Sequence, residues 1–450
     1  MQKTVISCFV TLGLFSFVGC GGGEGRGTSA GTGIDTGIDS GVDTGVDGET
    51  GGEDGDSQTN TGDGDGDGDT GDNSEGGEFK WDVLGVPDGG DACGGGGGGN
   101  DPTFSYLWAA NSTQGTISKI NTKTVTEEGR YIVRPDGAGS PSRTSVSLAG
   151  NVAVASRSGG VTKIYANPED CQESNGMPGI QTSNSNQYLA WGEEECVAWH
   201  TPFGYASQRP VAWGAGTFNN GNCAYEEVEL WTSGNNGGGS LDVIVLDGDD
   251  GSVVEMVEIP TGGGNLNSDF YGIYGGAVDG DGNFWGSQLG ASGQLVRVFR
   301  EDMTYEIYHP PGGPHYYGMT VDSEGYVWLC ASVVTRYDPQ NDAWATAQTG
   351  GNSGCMAEAG PDGLLWMAGG GGVIGVNRES LAVEKNWPSN GSYGVSIDFE
   401  GYVWAVAYGS NATKVDPDTG ELWTYSGLVG AYTYSDMTGY ALSNAGIPNG

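Results

Sequence analysis

The sequence predicts an all-β fold: a seven-bladed β-propeller preceded by a signal peptide and a disordered acidic Gly/Asp-rich tether. Three observations predict it. Of the 450 residues 87 are Gly, each costing about 1 kcal/mol relative to Ala inside a helix, which excludes a largely helical chain. There is no Gly-X-Y period, which excludes collagen. The composition then changes abruptly near residue 79, because residues 21–78 contain no aromatic side chain in a protein with 13 Trp and 21 Tyr. Finally, a motif closing on Trp recurs from residue 104 onward with a period near that of a four-stranded blade, roughly 40–45 residues.

The formal net charge is −41, from 58 acidic and 17 basic residues. So acidic a surface repels phosphate, and no nucleic-acid partner is expected.

Residues 1–19 read as an export signal. Lys3 supplies the positive start, and Val5 to Val18 is an apolar run of 14 residues. That is short of the roughly 20 a spanning helix needs. The ending Phe17-Val18-Gly19-Cys20 resembles the lipobox of bacterial lipoproteins. The resemblance implies cleavage before Cys20, acylation of that thiol and anchoring to a membrane through lipid. Gly21 after it implies export to the outer membrane or cell surface. An ordinary cleaved signal with an incidental Cys is the alternative.

Residues 20–78 form the expected tether. Within 21–78 there are 21 Gly and 16 acidic residues against the single basic Arg26. Such a segment cannot bury enough apolar surface to offset the entropy of ordering. The run Asp63 to Asp69 superficially resembles a calcium loop, but Ser74 stands where the twelfth-position Glu is required. Residues 79–103 are a Gly-rich lead-in to a propeller spanning 104–450.

Cysteine usage fits an oxidising compartment. Beyond Cys8 in the signal and Cys20, six remain: Cys93, Cys171, Cys196, Cys223, Cys330 and Cys355. They suggest three disulfides. Spacing favours Cys171–Cys196 as a loop staple and Cys330–Cys355 between neighbouring repeats, leaving Cys93–Cys223 by elimination. No CxxC pair points to zinc.

The repeat carries the fold. Tyr317-Gly318-Met319-Thr320-Val321-Asp322-Ser323-Glu324-Gly325-Tyr326-Val327-Trp328 matches the segment from Tyr393-Gly394 to Trp404, and a third copy runs from Tyr274-Gly275 to Trp285. Gly360 to Trp366 is a degenerate fourth. Successive Trp residues lie 43, 38 and 38 apart. Each unit reads as a short apolar strand, a D-x-x-G turn, a strand closing on Trp, and then a further hairpin. Each Trp should pack against the next blade, since one blade cannot cover both its faces. Second-strand centres at Trp108, Val154, Trp231, Trp285, Trp328, Trp366 and Trp404 count seven units. Two long gaps place insertions at 166–225 and 260–272. Blade one lacks an innermost strand before Phe104, and the segment Asp436 to Leu442 is expected to supply it, closing the ring.

This repeat, followed by K-V-D-P-x-T-G at Lys414–Gly420, resembles the seven-bladed propeller of the virginiamycin B (streptogramin B) lyase family. The resemblance covers residues 104 to about 443 and implies a fold, since propellers host many activities. In that family magnesium and paired His and Glu side chains open a cyclic depsipeptide ester by elimination. This chain has only His200, His309 and His315. His200 falls in the 166–225 insertion and His309 ends an outer strand. His315 stands at the start of an innermost strand, and Glu358, on the corresponding strand of the next blade, is the acid to accompany it. The resemblance assigns these two as catalytic residues only if the chain is such a lyase, with magnesium as its cofactor. Otherwise His315 bonds a loop carbonyl and Glu358 is solvated.

Aligning the units places Arg143, Arg209, Tyr274, Tyr317, Cys355 and Tyr393 at the starts of innermost strands, with Asp436 from the closing strand. Two Arg beside three Tyr suit an anionic or aromatic ligand at the channel mouth. Alternatively, the rings plug the channel and the Arg pair with carboxylates. In the 166–225 insertion, Trp191, Trp199, Trp213 and the acidic Gly192–Cys196 stretch suggest a partner surface or a packed lid. Residues Glu173–Ile180 only weakly echo a calcium loop. The leading expectation is a lipid-anchored, non-catalytic propeller that binds a surface protein, glycan or small molecule without a cofactor. A magnesium-dependent lyase is the rival, and the identity of any metal site is not readable.

Overall fold

The computed structural model describes residues 105–219, 224–226, 228–290, 292–311, 316–356, 363–369 and 371–445. The expected signal, tether and lead-in lie outside these residues, as do Cys20, Cys93, Cys223, His315 and Glu358.

Short apolar runs separated by Asp- and Gly-bearing turns can satisfy their backbone only as antiparallel hairpins. Five four-stranded sheets follow one another along the chain. They comprise blade three (Ser207–Trp213, Glu229–Asn235, Ser240–Asp247, Val253–Pro260), blade four (Ile273–Val278, Phe284–Gln288, Leu295–Val298, Tyr305–Tyr308) and blade five (Gly318–Val321, Val327–Cys330, Val333–Asp338, Ala343–Gln348). Blade six (Gly351–Met356, Leu365–Gly369, Gly372–Val376, Val383–Pro388) and blade seven (Gly394–Ile397, Val403–Val406, Ala412–Val415, Leu422–Tyr425) complete this series. Blade two contributes Pro141–Val146, Val152–Ser156, Val161–Ile164 and Val197–Thr201. Blade one supplies Tyr106–Asn111, Thr116–Asn121 and Thr126–Ile132 from its own segment. Innermost strands of successive blades touch around the ring, and the chain end joins blades seven and two. The fold is a seven-bladed propeller, and all seven expected centres lie on second strands.

Two boundaries differ from the sequence reading. The stretch 166–225 is not one insertion. It contains the fourth strand of blade two, with His200, and the fully buried innermost strand of blade three, with Arg209. What is inserted is the loop between Ile164 and Val197, together with a small hairpin, Thr217–Asn219 with Ala224–Glu226. Closure also begins earlier than 436–442, spanning 431–437 and overlapping the expected segment at Met437. The Trp108 N–H donates to the Met437 carbonyl at 2.8 Å, the Tyr432 N–H to the Ala110 carbonyl at 3.2 Å, and Asn111 bridges Ala431. Tyr434–Ser435 then runs parallel to Pro141–Val146. Asp436 ends the strand because its Oδ1 accepts from the Thr438 and Gly439 amides, a turn rather than a strand. The helix Tyr440–Ala445 follows and buries Tyr440, Leu442 and Ala445.

The D-x-x-G…W spacing has a direct cause. In blades four, five and seven the turn aspartate (Asp279, Asp322, Asp398) accepts the indole N–H of the Trp six residues on, at 2.8–2.9 Å. Its other oxygen takes two backbone amides of the turn. A cation caps each carboxylate: Arg297 on Asp279 at 2.7 Å, Arg378 on Asp322 at 2.9 Å and Lys414 near Asp398 at 3.4 Å. The Trp rings fill the gaps between blades, as Trp231 does by stacking on Phe284 of the next blade. Two disulfides link described residues, Cys171–Cys196 and Cys330–Cys355, the pairs that spacing favoured.

Candidate functional site

The Tyr-Gly pair that opens three innermost strands builds the channel mouth. The Gly is required by crowding at the axis. A Cβ on Gly318 would lie 2.6 Å from the Gly354 Cα, and one on Gly394 would fall onto the Thr433 carbonyl. With the backbones this close, the preceding Tyr side chains have room only toward the axis. Tyr274, Tyr317 and Tyr393 meet there, joined by Tyr432 and Tyr434 from the closing segment. Tyr432 and Tyr434 are two apart on the closing segment, and their hydroxyls lie 2.9 Å from each other. The Tyr274 hydroxyl lies 2.8 Å from each of them. Tyr317 bonds Tyr393 and Tyr432 and receives Tyr274 at 3.1 Å. The five phenols form one hydrogen-bonded floor.

Three arginines surround it, and they behave differently. Arg143 is 1% exposed and spends Nε and Nη2 on the Tyr274 carbonyl across the channel, at 2.9 and 2.7 Å. Its guanidinium lies 3.2 Å from the centre of the Tyr434 ring. It is a strut of the floor. Arg209 sits 4.7 and 4.8 Å from the Tyr271 and Tyr274 rings, gives one weak bond to Ser207, and leaves a buried Nη1 with no partner among the described residues. Arg157, bonded to Ser140, lies 4.7 Å from the Tyr432 ring. Neither Arg143 nor Arg209 forms an ion pair among the described residues, so the expected alternative of carboxylate pairing does not hold there.

The electrostatics follow from this packing. Burial pushes the phenols of Tyr274, Tyr317, Tyr393 and Tyr434 above their ordinary range. Burial also opposes ionisation of Tyr432, but hydrogen bonds from Tyr274, Tyr317, Tyr393 and Tyr434 outweigh it and bring that phenol down to about 8. Above the floor, Phe270, Tyr271 and Tyr408 are 56%, 39% and 70% exposed. Tyr408 packs edge-on to Tyr393 and Tyr432, and Tyr271 to Tyr274. The result is a phenol floor with guanidinium groups against it and an aromatic rim.

The structure thus brings together Arg209, Tyr274, Tyr317 and Tyr393, and reassigns Arg143 to support. Sequence reading missed Arg157, Tyr432, Tyr434 and the rim aromatics. The Tyr432-Thr433-Tyr434 alternation was the available signal, hidden because closure was placed downstream. His309 is bonded to Gln294 at 3.0 Å, away from any such cluster. Ser174 and Asn175 of the calcium-like loop, and Gln181 just after it, turn their amides onto the Glu195 carboxylate, which those bonds hold below the usual carboxylate range. Donors, not oxygens, face inward there. No group of three His, Cys, Asp or Glu residues suited to a metal occurs among the described residues.

No family model matches the sequence, and no curated protein matches it. Solved structures do. A functionally unknown protein from Desulfotomaculum acetoxidans is 11% identical over 72% of this chain and 96% of that chain, with a TM-score of 0.49. A streptogramin B lyase is 12% identical over 67% and 87%, with a TM-score of 0.46. Virginiamycin B lyase from Staphylococcus aureus is 13% identical over 63% and 83%, with a TM-score of 0.41. The likeness to these lyase structures that the repeat implied is present, as a likeness of fold. It assigns no activity or residue role to this chain.

Proposed function

We propose that this protein is an exported, lipid-anchored, non-catalytic binding propeller of the cell envelope, and that its channel mouth takes a small aromatic anion. The lipobox-like ending at Cys20 and the acidic tether support the location. One observation carries the binding reading: Arg209 holds a buried Nη1, without a partner among the described residues, against two Tyr rings beside an exposed aromatic rim. Burying a donor without a partner costs about 1–3 kcal/mol or more for a charged group, a cost that a bound carboxylate removes.

Calorimetric titration with 4-hydroxybenzoate and indole-3-acetate at pH 7 tests this. Binding is expected, and Arg209→Ala should weaken it by roughly 10–100-fold, the size of one charge-assisted hydrogen bond. Absence of binding to either, or equal binding by the variant, sinks the reading. The magnesium-dependent lyase reading rests on His315 and Glu358, outside the described residues. Opening of a cyclic depsipeptide by the protein with magnesium would replace the non-catalytic proposal.

A further inference from the structure

A second site is built where the Cys171–Cys196 loop meets the outer edges of blades one and two. The loop has almost no regular structure, yet it is held firmly. Glu194 and Glu195 are 7% and 3% exposed and collect five backbone N–H groups, those of Ser174, Asn175, Gln181, Ser183 and Cys196. The disulfide ties its ends. A wall fixed in this way loses little entropy when a ligand arrives.

Against this wall lie two adjoining hollows that share Trp191 and His200, one of about 180 Å³ and an outer, open one of about 500 Å³. Together they are in the size range of small-molecule sites, about 300–1,000 Å³. Trp191 meets His200 edge-to-face at 5.7 Å. Pro135 and Pro202 add apolar surface to the outer hollow, and Arg134 and Asp136 stand at its edge. These two form an ion pair at 2.7 Å, so the rim offers a donor and an acceptor without net charge.

The tautomer of His200 can be read from its neighbours. The Thr162 hydroxyl has one proton and donates it to the Val133 carbonyl at 2.5 Å. The 2.8 Å contact between Thr162 Oγ1 and His200 Nδ1 must therefore have the imidazole as donor. Burial, and then the Arg134 charge, hold the ring below its ordinary range, so it is neutral at pH 7. Nε2 is left as a lone-pair acceptor, and it has no hydrogen-bond partner among the described residues. Asp136 likewise keeps lone pairs, having accepted only Arg134 and the Ala138 amide.

A ligand for such a cleft needs an apolar face for the indole and hydroxyls that donate as well as accept. We infer that the cleft binds a neutral saccharide unit, stacked on Trp191 with its hydroxyls bridging His200 Nε2 and the Arg134–Asp136 pair. A proline-rich peptide would also stack on Trp191. It offers carbonyls but few N–H groups, and would leave the His200 and Asp136 acceptors unpaired. An acidic glycan would bring a charge the paired rim does not match, onto a strongly acidic protein.

Binding of cellohexaose, xylohexaose and mannohexaose to the full chain, followed by tryptophan fluorescence and calorimetry, tests this against decaproline and hexagalacturonate. At least one neutral hexasaccharide should bind. Trp191→Ala should weaken it by about tenfold or more, as loss of a stacking platform does. His200→Ala should also weaken it, while Arg209→Ala at the channel mouth should leave it unchanged, separating this site from the mouth. If Trp191→Ala fails to fold, Trp191→Phe, which keeps a smaller platform, should retain the melting point and bind several-fold more weakly. The inference is overturned if no neutral hexasaccharide binds, if only decaproline or hexagalacturonate binds, or if binding survives unchanged in the Trp191 and His200 variants.

Discussion

Blades four, five and seven differ from blade one in a single connection. In the former, the chain runs from innermost strand to second strand through a turn whose aspartate takes the Trp indole N–H. In blade one the innermost strand comes from the other end of the chain, so no such turn exists. Trp108 is 0% exposed and its Nε1 has no partner among the described residues. Closing the ring with the chain end removes an aggregation-prone edge but leaves an indole without its carboxylate. Blade two supports the same logic from the opposite side. Ser147 holds the turn in place of Asp, and Val154 stands where the other blades carry Trp. In blade two the acid and the indole are absent together, whereas blade three keeps Trp231 with Tyr225 at the position of the acid.

The largest expected effect comes from breaking the closure itself. Truncation after Val429 removes the partner of Trp108 and Ala110, Tyr432 and Tyr434 of the mouth, and the helix Tyr440–Ala445. It should cost more than about 5 kcal/mol and abolish cooperative unfolding by calorimetry, because several buried contacts go at once. An unchanged melting point would show that the regular blades hold the ring alone.

Next in size is the latch in a regular blade. Asp398→Ala leaves the buried Lys414 ammonium, the Trp404 indole and two turn amides without their carboxylate. A loss of about 3–5 kcal/mol in chemical denaturation at neutral pH is expected. Blade one offers no equivalent side chain to remove.

The third test uses pH. Burial raises the carboxyls of Asp398 and Asp436 to about 6 from an ordinary 3.8. Below the ordinary value both folded and unfolded chains are protonated, and the contribution to stability is complete. As pH rises from 3.8 to about 6 the unfolded chain ionises while the fold stays protonated, so that stability is lost across that window and levels off above it. Asp436 Oδ2 is enclosed and has no hydrogen-bond partner among the described residues. Asp436→Asn should therefore gain stability at pH 8, on the order of 2 kcal/mol, and change little at pH 4. Equal effects at both pH values would contradict the assignment.

The smallest effect is the most direct comparison. Trp404→Phe removes an N–H that a buried carboxylate uses and should cost about 1–3 kcal/mol. Trp108→Phe removes an N–H that no described residue accepts, and the difference between the two variants should exceed about 1 kcal/mol in the same denaturation assay. Equal losses would mean the latch adds nothing beyond ring volume.

These comparisons show where the sequence was legible. Asp, Gly and Trp at fixed offsets report a local arrangement, since turn, strand and indole lie within seven residues. Four units could be read on that basis, and the spacing of apolar second strands supplied the other three, including blade one, whose Trp108 sits in the right frame. Arg209 and the three Tyr-Gly pairs were readable because each occupies the same register of its own blade. Arg143 was placed correctly but not understood, because its partner is the Tyr274 carbonyl, 131 residues away. Tyr432 and Tyr434 were missed because a parallel two-residue pairing with blade two leaves no periodic trace.

What the sequence by itself determined, then, is the propeller: short-range chemistry repeated often enough to state the fold and the count. The tertiary structure alone decided what the centre is made of. Side chains from blades two, three, four, five and seven and the chain end converge on one axis, and their hydrogen bonds, shared charges and orphaned donors depend on distances no local pattern encodes. The same holds for the Trp191 cleft, where a stapled loop meets an edge contributed by another blade. Repetition writes the scaffold into the sequence, while a site assembled across the ring exists only after closure.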